Sequence, residues 1–475
     1  MSVNFDVIVI GGGGAGLAAA YHAARDGASV IILEASSALG GATALATGVV
    51  YAAGTSVQRA AGIVDSADDM YHYMMTLNQW SIKPDLARRL CDSGATIIDW
   101  LIELGNIFPP DLVVESGVGG RPRGHQSAGA GAGIVQSLVN AVGALGVEVA
   151  LGTRVDELIH ENGRVVGVRA DGFELRSHAV IITTGGFAND PDMVQRLWPS
   201  AAAHGEHLFS IYAAAPFNVG DGITLAETAG ANVTGFDNGL LVTSPTFAHS
   251  FEAFLPEWAM VVNQDGKRFI PEDATYAVSG YLINEQPGRR CFAIFGEAAM
   301  HEMCADDRSG GHYVNGSSTD CWRVSTLLKQ VERGNVASAD SIATLALRAG
   351  IDADNLEASV DRYNRFMDQG EDREFFKKSA KFYPVRKGPL YAVELRASAI
   401  VSCHAGLEIT ADGRVVTAKG TIIHGLYAGG EVLGCTLGRR YIGGGIGIAN
   451  AMTFGRIAGL TAAVDSRRWQ GTRVA

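Results

Sequence analysis

The chain has 475 residues, 47% of them hydrophobic, and a formal charge of −12, so it can fill the cores of two or three domains. The acidic balance and the lack of any basic block exclude a nucleic-acid footprint, which needs Lys and Arg lining a groove to displace counterions. Six scattered cysteines without a CxxC or a paired Cys/His spacing argue against a zinc framework and fit reduced thiols.

From the N-terminus, Val7-Ile8-Val9-Ile10 predicts a buried strand, Gly11-Gly12-Gly13-Gly14-Ala15-Gly16 a glycine turn opening a helix, and Val30-Ile31-Ile32-Leu33-Glu34 a second strand that ends in an acid. Gly11, Gly13 and Gly16 fit the dinucleotide fingerprint: the first makes the tight turn, the second admits a pyrophosphate, and the third lets helix pack on strand. Glu34, 18 residues after Gly16, can accept hydrogen bonds from both hydroxyls of an adenosine ribose. The apolar run belongs to this fingerprint and lacks a charged leader, and no run reaches the ~18 apolar residues of a membrane span. A soluble cytoplasmic protein is expected.

The Gly- and Ala-rich run from Gly40 to Gly54 carries little side chain and can lie against a planar cofactor. Residues 56–111 read as mostly helical, with Trp80 and Trp100 in core contacts. Arg121, Arg123 and His125 form a basic loop that serves either internal ion pairing or a substrate carboxylate. Val147 to Ala170 alternates like strands around a turn at Glu161-Asn162-Gly163. The apolar strand ending at Ile182 runs into Thr184-Gly185-Gly186, as a buried parallel strand does where its tip meets a ligand. Asn218 to Gly222 opens a helix that runs through Ala229. From about 238 to 395 aromatics and charges interleave, with a polar loop at Ser309 to Ser318. The last eighty residues return to strand-and-glycine texture and close with a helix over 452–464. Residues 1–237 and 396–475 are therefore expected to build one cofactor domain, with 238–395 inserted.

These segments resemble, in this order, the flavoprotein family that contains soluble fumarate reductases and 3-ketosteroid dehydrogenases. The resemblance is carried by the fingerprint, Gly40-Gly41-Ala42-Thr43, Thr184-Gly185-Gly186-Phe187, Gly220-Asp221-Gly222, Asn263-Gln264-Asp265-Gly266-Lys267-Arg268-Phe269, Arg362-Tyr363-Asn364, Ala405-Gly406-Leu407 and Gly429-Gly430-Glu431. It implies an α/β fold: a Rossmann-like (glutathione reductase-type) FAD-binding domain with an inserted α+β capping domain, the substrate lying between cap and flavin. It implies FAD held by Gly11, Gly13, Gly14, Ala15, Gly16, Glu34, Ala35, Gly41, Ala42, Thr43, Gly48, Val155, Thr184, Gly185, Gly186, Asp221, Gly430, Glu431, Gly445, Ile446, Gly447 and Ile448, with Glu431 on the ribityl chain. Members with covalent flavin carry a His in the loop after Gly41. None occurs between Gly40 and Gly54, so non-covalent FAD is expected.

A few positions separate the family's branches. Where fumarate reductase-like members carry a proton-donating Arg, four residues after Arg268-Phe269-Ile270-Pro271-Glu272, this chain has Tyr276. Where they carry a substrate-binding Arg before the late glycine pair, it has Tyr441. Ser244 and Ser402 replace two dicarboxylate-binding histidines, and His404 stands two residues out of register. The ketosteroid dehydrogenase-like branch has tyrosines at those two positions. There the counterpart of Tyr276 removes a proton beside the ketone, and those of Tyr441 and the Gly445 N–H hold the ketone oxygen. That pairing suits the chemistry, because the carbon acid is too weak unless its enolate is stabilised by preorganised donors. A phenol with an unperturbed pKa of about 10 also needs activation to act as a base. The expectation is an FAD-dependent desaturase forming a C=C bond α,β to a ring ketone, a 3-ketosteroid or a smaller cyclic ketone such as an oxocyclohexane carboxylate. An external quinone, oxygen or flavoprotein would take the electrons. The alternatives are a fumarate reductase-like reductase of activated alkenes and a non-catalytic flavin-binding subunit. Arg439 and Arg440, next to Tyr441, read either as ion-pair partners or as a carboxylate site.

Overall fold

The apolar N-terminal run forms the strand Phe5–Ile10, paired in parallel on both sides, with Ile10 opposite Leu33 of Val30–Glu34 and opposite Ile182 of Phe173–Ile182. Val7, Ile8 and Val9 are fully buried, as a parallel strand covered on both faces must be. Glu148–Leu151 extends the sheet beyond Val30–Glu34, and Ile422–Ala428 joins Phe173–Ile182 with Ala428 opposite Ile182. The ends of four parallel strands, at Ile10, Leu33, Ile182 and Ala428, therefore lie level on one edge. Open α/β sheets bind ligands outside that carboxyl edge. This computed structural model describes residues 5–213, 215, 218–249, 254–304, 320–378, 383–386 and 388–474. The polar loop expected at Ser309 to Ser318 lies outside them.

The chain forms two compact units, one of Met1–Ala202, Tyr212–Gly239 and Ser402–Ala475, the other of Ala203–Ile211 and Leu240–Val401. In the first, the helix Gly14–Arg25 packs against the C-terminal helix Ile446–Val474. A Cβ on Gly455 of that helix would stand 2.3 Å from the Ala15 carbonyl oxygen, so the small residue permits the contact. The closing helix is longer than the 452–464 expected from sequence and starts directly after Gly445. Its Gly- and Ala-rich first turns carry no apolar stripe that would announce it. Trp100 is buried as expected, but Trp80 is 63% exposed. It stands on a left-handed turn (Gln79 φ 52, Trp80 φ 55) that follows the helix Ala67–Leu77.

In the second unit the long strand Leu390–Cys403 pairs antiparallel with Cys291–Gly296, which pairs in turn with Met260–Asn263. Phe209–Ser210 pairs with Ala399–Ile400, which brings Ala203–Ile211 into this unit although the sequence reading groups it with the cofactor domain. Leu356, Val360 and Tyr363, on one face of the helix Ala353–Gln369, pack with Met260, Val262, Phe292 and Ile294 of the strands. Among the described residues no helix is long and apolar enough to cross a membrane.

Candidate functional site

The glycine turn sits at the tip of the first strand, where the Gly11 N–H donates to Leu33 O at 2.8 Å. A Cβ on Gly16 would lie 1.9 Å from Gly11 O, so only glycine lets the helix begin this close to the strand. The first N–H groups of Gly14–Arg25 then form an anion site. Glu34 is fixed beside it, its carboxylate accepting the Gly12 N–H at 2.6 Å and the Ser36 N–H at 2.8 Å. Each oxygen keeps a lone pair for a ribose hydroxyl. Thr153, two residues before Val155, donates its N–H to Glu34 O at 2.9 Å, which places that segment, with Ala35, on the same edge.

Gly41, Ala42 and Thr43 lie in the short helix Gly41–Leu45, tied to the turn by the Gly40 N–H donating to Gly12 O at 2.9 Å. Gly48 packs on Ala130. On the far side, Thr184 Oγ1 accepts the Gly222 N–H at 3.2 Å, while Asp221 pairs with Arg154. The structure thus gathers Gly11 to Gly16, Glu34, Thr184 to Gly186 and Gly430-Glu431 at one sheet edge.

Some buried polar atoms near this edge have no hydrogen-bond partner. Among the described residues, both amide atoms of Asn218, Oδ1 of Asn450 and Nε2 of His404 are buried without a partner. Asn218 Oδ1 lies beside Gly185, and Asn450 Nδ2 donates to Gly430 O at 3.1 Å. Buried polar groups are rarely left unsatisfied, so these atoms suit a polar cofactor. Glu431 accepts the Cys403 N–H at 2.9 Å, and burial pushes its carboxyl up to about 7. Sequence reasoning missed Asn218 and Asn450, since an isolated Asn carries no pattern.

Tyr441 and Gly445 belong to a turn that leads into the C-terminal helix. Gly445 has φ +99 and its carbonyl accepts the Tyr51 N–H at 3.2 Å. Its own N–H has no acceptor among the described residues, and the helix that starts at Ile446 places a positive dipole end there. His404 packs against Tyr441, and its Nδ1 lies 3.1 Å from Gly438 O. Burial lowers its pKa to about 4, so the ring is neutral and donates from Nδ1. A phenol O–H and a helix-terminal N–H four residues apart can together hold an oxyanion.

In the second unit Tyr276 is the first residue of the helix Tyr276–Asn284, capped by Thr275 Oγ1, which accepts the Ala277 N–H at 3.3 Å. Phe254 meets its ring edge-on at 5.7 Å, and burial pushes its hydroxyl up to about 12. The preceding segment is anchored by a buried cluster. Arg268 pairs with Glu272 and Asp372, both at 2.9 Å, and Lys377 with Glu272 at 3.2 Å, all four side chains at most 2% exposed. Ser244 Oγ donates to Ala248 O at 2.7 Å.

Within the basic loop Arg123 and His125 are buried and held by internal partners, while Arg121 stays exposed. Arg123 forms a buried pair with Asp65 at 2.7 Å, His125 Nε2 lies 2.7 Å from Thr55 Oγ1, and Arg121 donates to Val64 O.

The FAD binding domain family matches residues 6–448. The fumarate reductase (cytochrome) of Shewanella frigidimarina is 31% identical, over 98% of this chain and 78% of its own length. The 3-oxosteroid 1-dehydrogenase of Mycolicibacterium smegmatis is 25% identical, over 98% of each chain. Among solved structures, the 3-ketosteroid-Δ4-(5α)-dehydrogenase of Rhodococcus jostii RHA1 in complex with 4-androstene-3,17-dione aligns with a TM-score of 0.79 and 26% identity, over 98% of both chains.

Proposed function

Because the chain belongs to the FAD binding domain family, as an FAD-dependent oxidoreductase of the fumarate reductase and ketosteroid dehydrogenase kind, we propose that it desaturates a ring ketone. The observation that carries this reading is the Tyr441–Gly445 turn, a phenol and a helix-terminal N–H held on one rigid segment. Tyrosines at 276 and 441, where a dicarboxylate reductase would need arginines, point the same way. The likeness to a ketosteroid dehydrogenase over 98% of both chains supports it further.

In this reading the substrate ketone oxygen accepts hydrogen bonds from Tyr441 O–H and the Gly445 N–H, which stabilise the enolate by roughly 3 kcal/mol per donor. Tyr276, as phenolate, takes the proton from the carbon beside the ketone. FAD, held at the sheet edge by the residues named below, would supply the two-electron acceptor for the hydride that leaves the next carbon. Tyr276 then returns its proton to solvent, and an external quinone, oxygen or flavoprotein takes the electrons. Gly11 to Gly16 and Glu34 are assigned to the dinucleotide, and Asn218, Asn450 and Glu431 to further polar groups of FAD. The substrate class is a 3-ketosteroid or a smaller cyclic ketone.

Reduction of an activated alkene is the second reading, favoured by the 31% identity to a fumarate reductase against 25% to an oxosteroid dehydrogenase. Anaerobic mixing separates them. A desaturase loses its oxidised-flavin absorption on mixing with a saturated 3-ketosteroid or a cyclohexanone, and Tyr441→Phe slows that bleaching by roughly 10²-fold. Oxidised enzyme indifferent to every ketone, with reduced enzyme reoxidised by enoates, overturns the proposal.

A further inference from the structure

The turn that carries Tyr441 is fastened residue by residue within the first unit. At the glycine end, the Gly444 N–H donates to Ser116 O and Ser116 Oγ donates to Gly444 O, both at 3.0 Å. In the middle, Tyr73 O–H donates to Ile442 O at 2.9 Å, and its oxygen accepts the Val118 N–H at 3.1 Å. At the other end a single side chain grips Arg440. Asn78 Oδ1 accepts the Arg440 N–H at 2.8 Å and Asn78 Nδ2 donates to Arg440 O at 3.1 Å. One carboxamide thus fixes the peptide planes on both sides of Arg440, including the one that leads into Tyr441.

Asn78 is itself held. Its Nδ2 also donates to Met74 O at 3.2 Å, and the residue is 3% exposed. Gly438 approaches so closely that a Cβ there would stand 2.5 Å from Asn78 Oδ1. Directly after Asn78 the chain takes two successive left-handed residues, Gln79 and Trp80, a conformation that costs side-chain-bearing residues roughly 1–2 kcal/mol each. Strain of this kind persists where surrounding structure over-determines it, and it clusters at functional sites. Only a carboxamide offers a donor and an acceptor in one plane at this length. Asp lacks the donor, and Leu lacks both.

We propose that Asn78 is a positioning residue for Tyr441: by gripping the backbone of Arg440 it sets where the phenol O–H points, so that the ketone oxygen meets a preorganised donor. The proposal rests on the desaturase reading given above. Ser116 and Tyr51 secure the glycine end separately, so loss of Asn78 acts on the tyrosine. An oxyanion donor stabilises developing charge to the extent that it is already aimed.

The test uses the FAD-loaded enzyme with a saturated 3-ketosteroid and cyclohexanone as probes. Asn78→Ala is compared in two backgrounds, wild type and Tyr441→Phe, by the limiting rate of anaerobic flavin bleaching. The expected result is at least a tenfold loss in the wild-type background but less than a threefold further loss in Tyr441→Phe. FAD affinity should stay within twofold. A structural role alone gives the same loss in both backgrounds, because effects on independent sites add, and that result overturns the proposal. So does an unchanged rate in the wild-type background. Should Asn78→Ala fail to fold, Asn78→Ser carries the same comparison. A wild-type enzyme that neither ketone bleaches overturns the desaturase reading and the proposal with it, an outcome distinct from the failure of Asn78 alone.

Discussion

His404 and Tyr441 lie ring against ring, their planes 17° apart and their centroids 6.1 Å apart. The imidazole is 2% exposed, and burial lowers its pKa to about 4. It therefore meets Tyr441 as a neutral surface across the physiological range.

The same depression makes His404 an acid-sensitive point in the fold. The unfolded chain, with a His pKa near 6.5, binds a proton that the folded state refuses, so stability present above pH 6.5 is lost as pH falls toward 4. Burial also lowers His204 to about 4 and His22 to about 3. His404 and His204 each account for about 3 kcal/mol across their windows, and His22 for about 5 kcal/mol. In urea denaturation at pH 7 and pH 4.5, His404→Phe should lose less stability on acidification than the wild type, by about 2–3 kcal/mol. An identical loss in both proteins means that His404 is protonated in the native state.

Glu431 titrates in the opposite sense. Burial raises its carboxyl to about 7 against 4.5 in the free group, only partly offset by the Cys403 N–H. The folded apoprotein thus binds a proton that the unfolded chain releases, and its stability falls as pH rises from 4.5 through 7. Glu431→Gln should remove that pH dependence. It should also weaken FAD binding about tenfold or more, because a charged acceptor for a ribityl hydroxyl is lost. Titration of apoprotein with FAD at pH 8 decides this, and unaltered affinity would show that Glu431 does not touch the cofactor.

What the sequence reveals here is what lies within one supersecondary unit. The Gly11–Gly16 turn and Glu34 form a local pattern, and the structure sets them at the sheet edge that the pattern requires. Asn78 is silent because its partner Arg440 lies 362 residues away and an isolated Asn has no periodicity. Arg123 is ambiguous until Asp65, 58 residues earlier, is found across from it. The grouping of Ala203–Ile211 depends likewise on the pairing of Phe209 with Ala399. Trp80 misleads for a different reason. Hydrophobicity predicts burial, whereas a left-handed turn carries this indole outward.

The segment before Tyr276 depends on two cations and two anions in a nearly water-free cluster. Arg268 and Lys377 both contact Glu272, and Arg268 also contacts Asp372. Burial lowers the Lys377 ammonium, with Glu272 opposing the shift. Removing one anion strands buried positive charge, which costs about 3–5 kcal/mol. Glu272→Ala should lower the unfolding free energy by that amount, as read in denaturant melts. A loss below about 1 kcal/mol, the level of an exposed pair, would mean that water reaches the cluster.

Tyr276 sets the final expectation. Burial pushes its hydroxyl up to about 12, so at pH 7 only about one molecule in 10⁵ carries the phenolate that a base requires. The phenolate fraction grows tenfold with each pH unit below the pKa. Ketone-driven flavin bleaching, if limited by proton removal, should therefore climb about tenfold per unit between pH 7 and 10. The helix N-terminus at Tyr276 favours the anion and can bring the plateau earlier, though only by the 0.3–1 kcal/mol, or under about one unit, that such a dipole supplies. Tyr276→Phe should both lower the rate and flatten the profile. A variant that is slower but keeps the wild-type slope would place the titrating base elsewhere and leave Tyr276 a wall of the site.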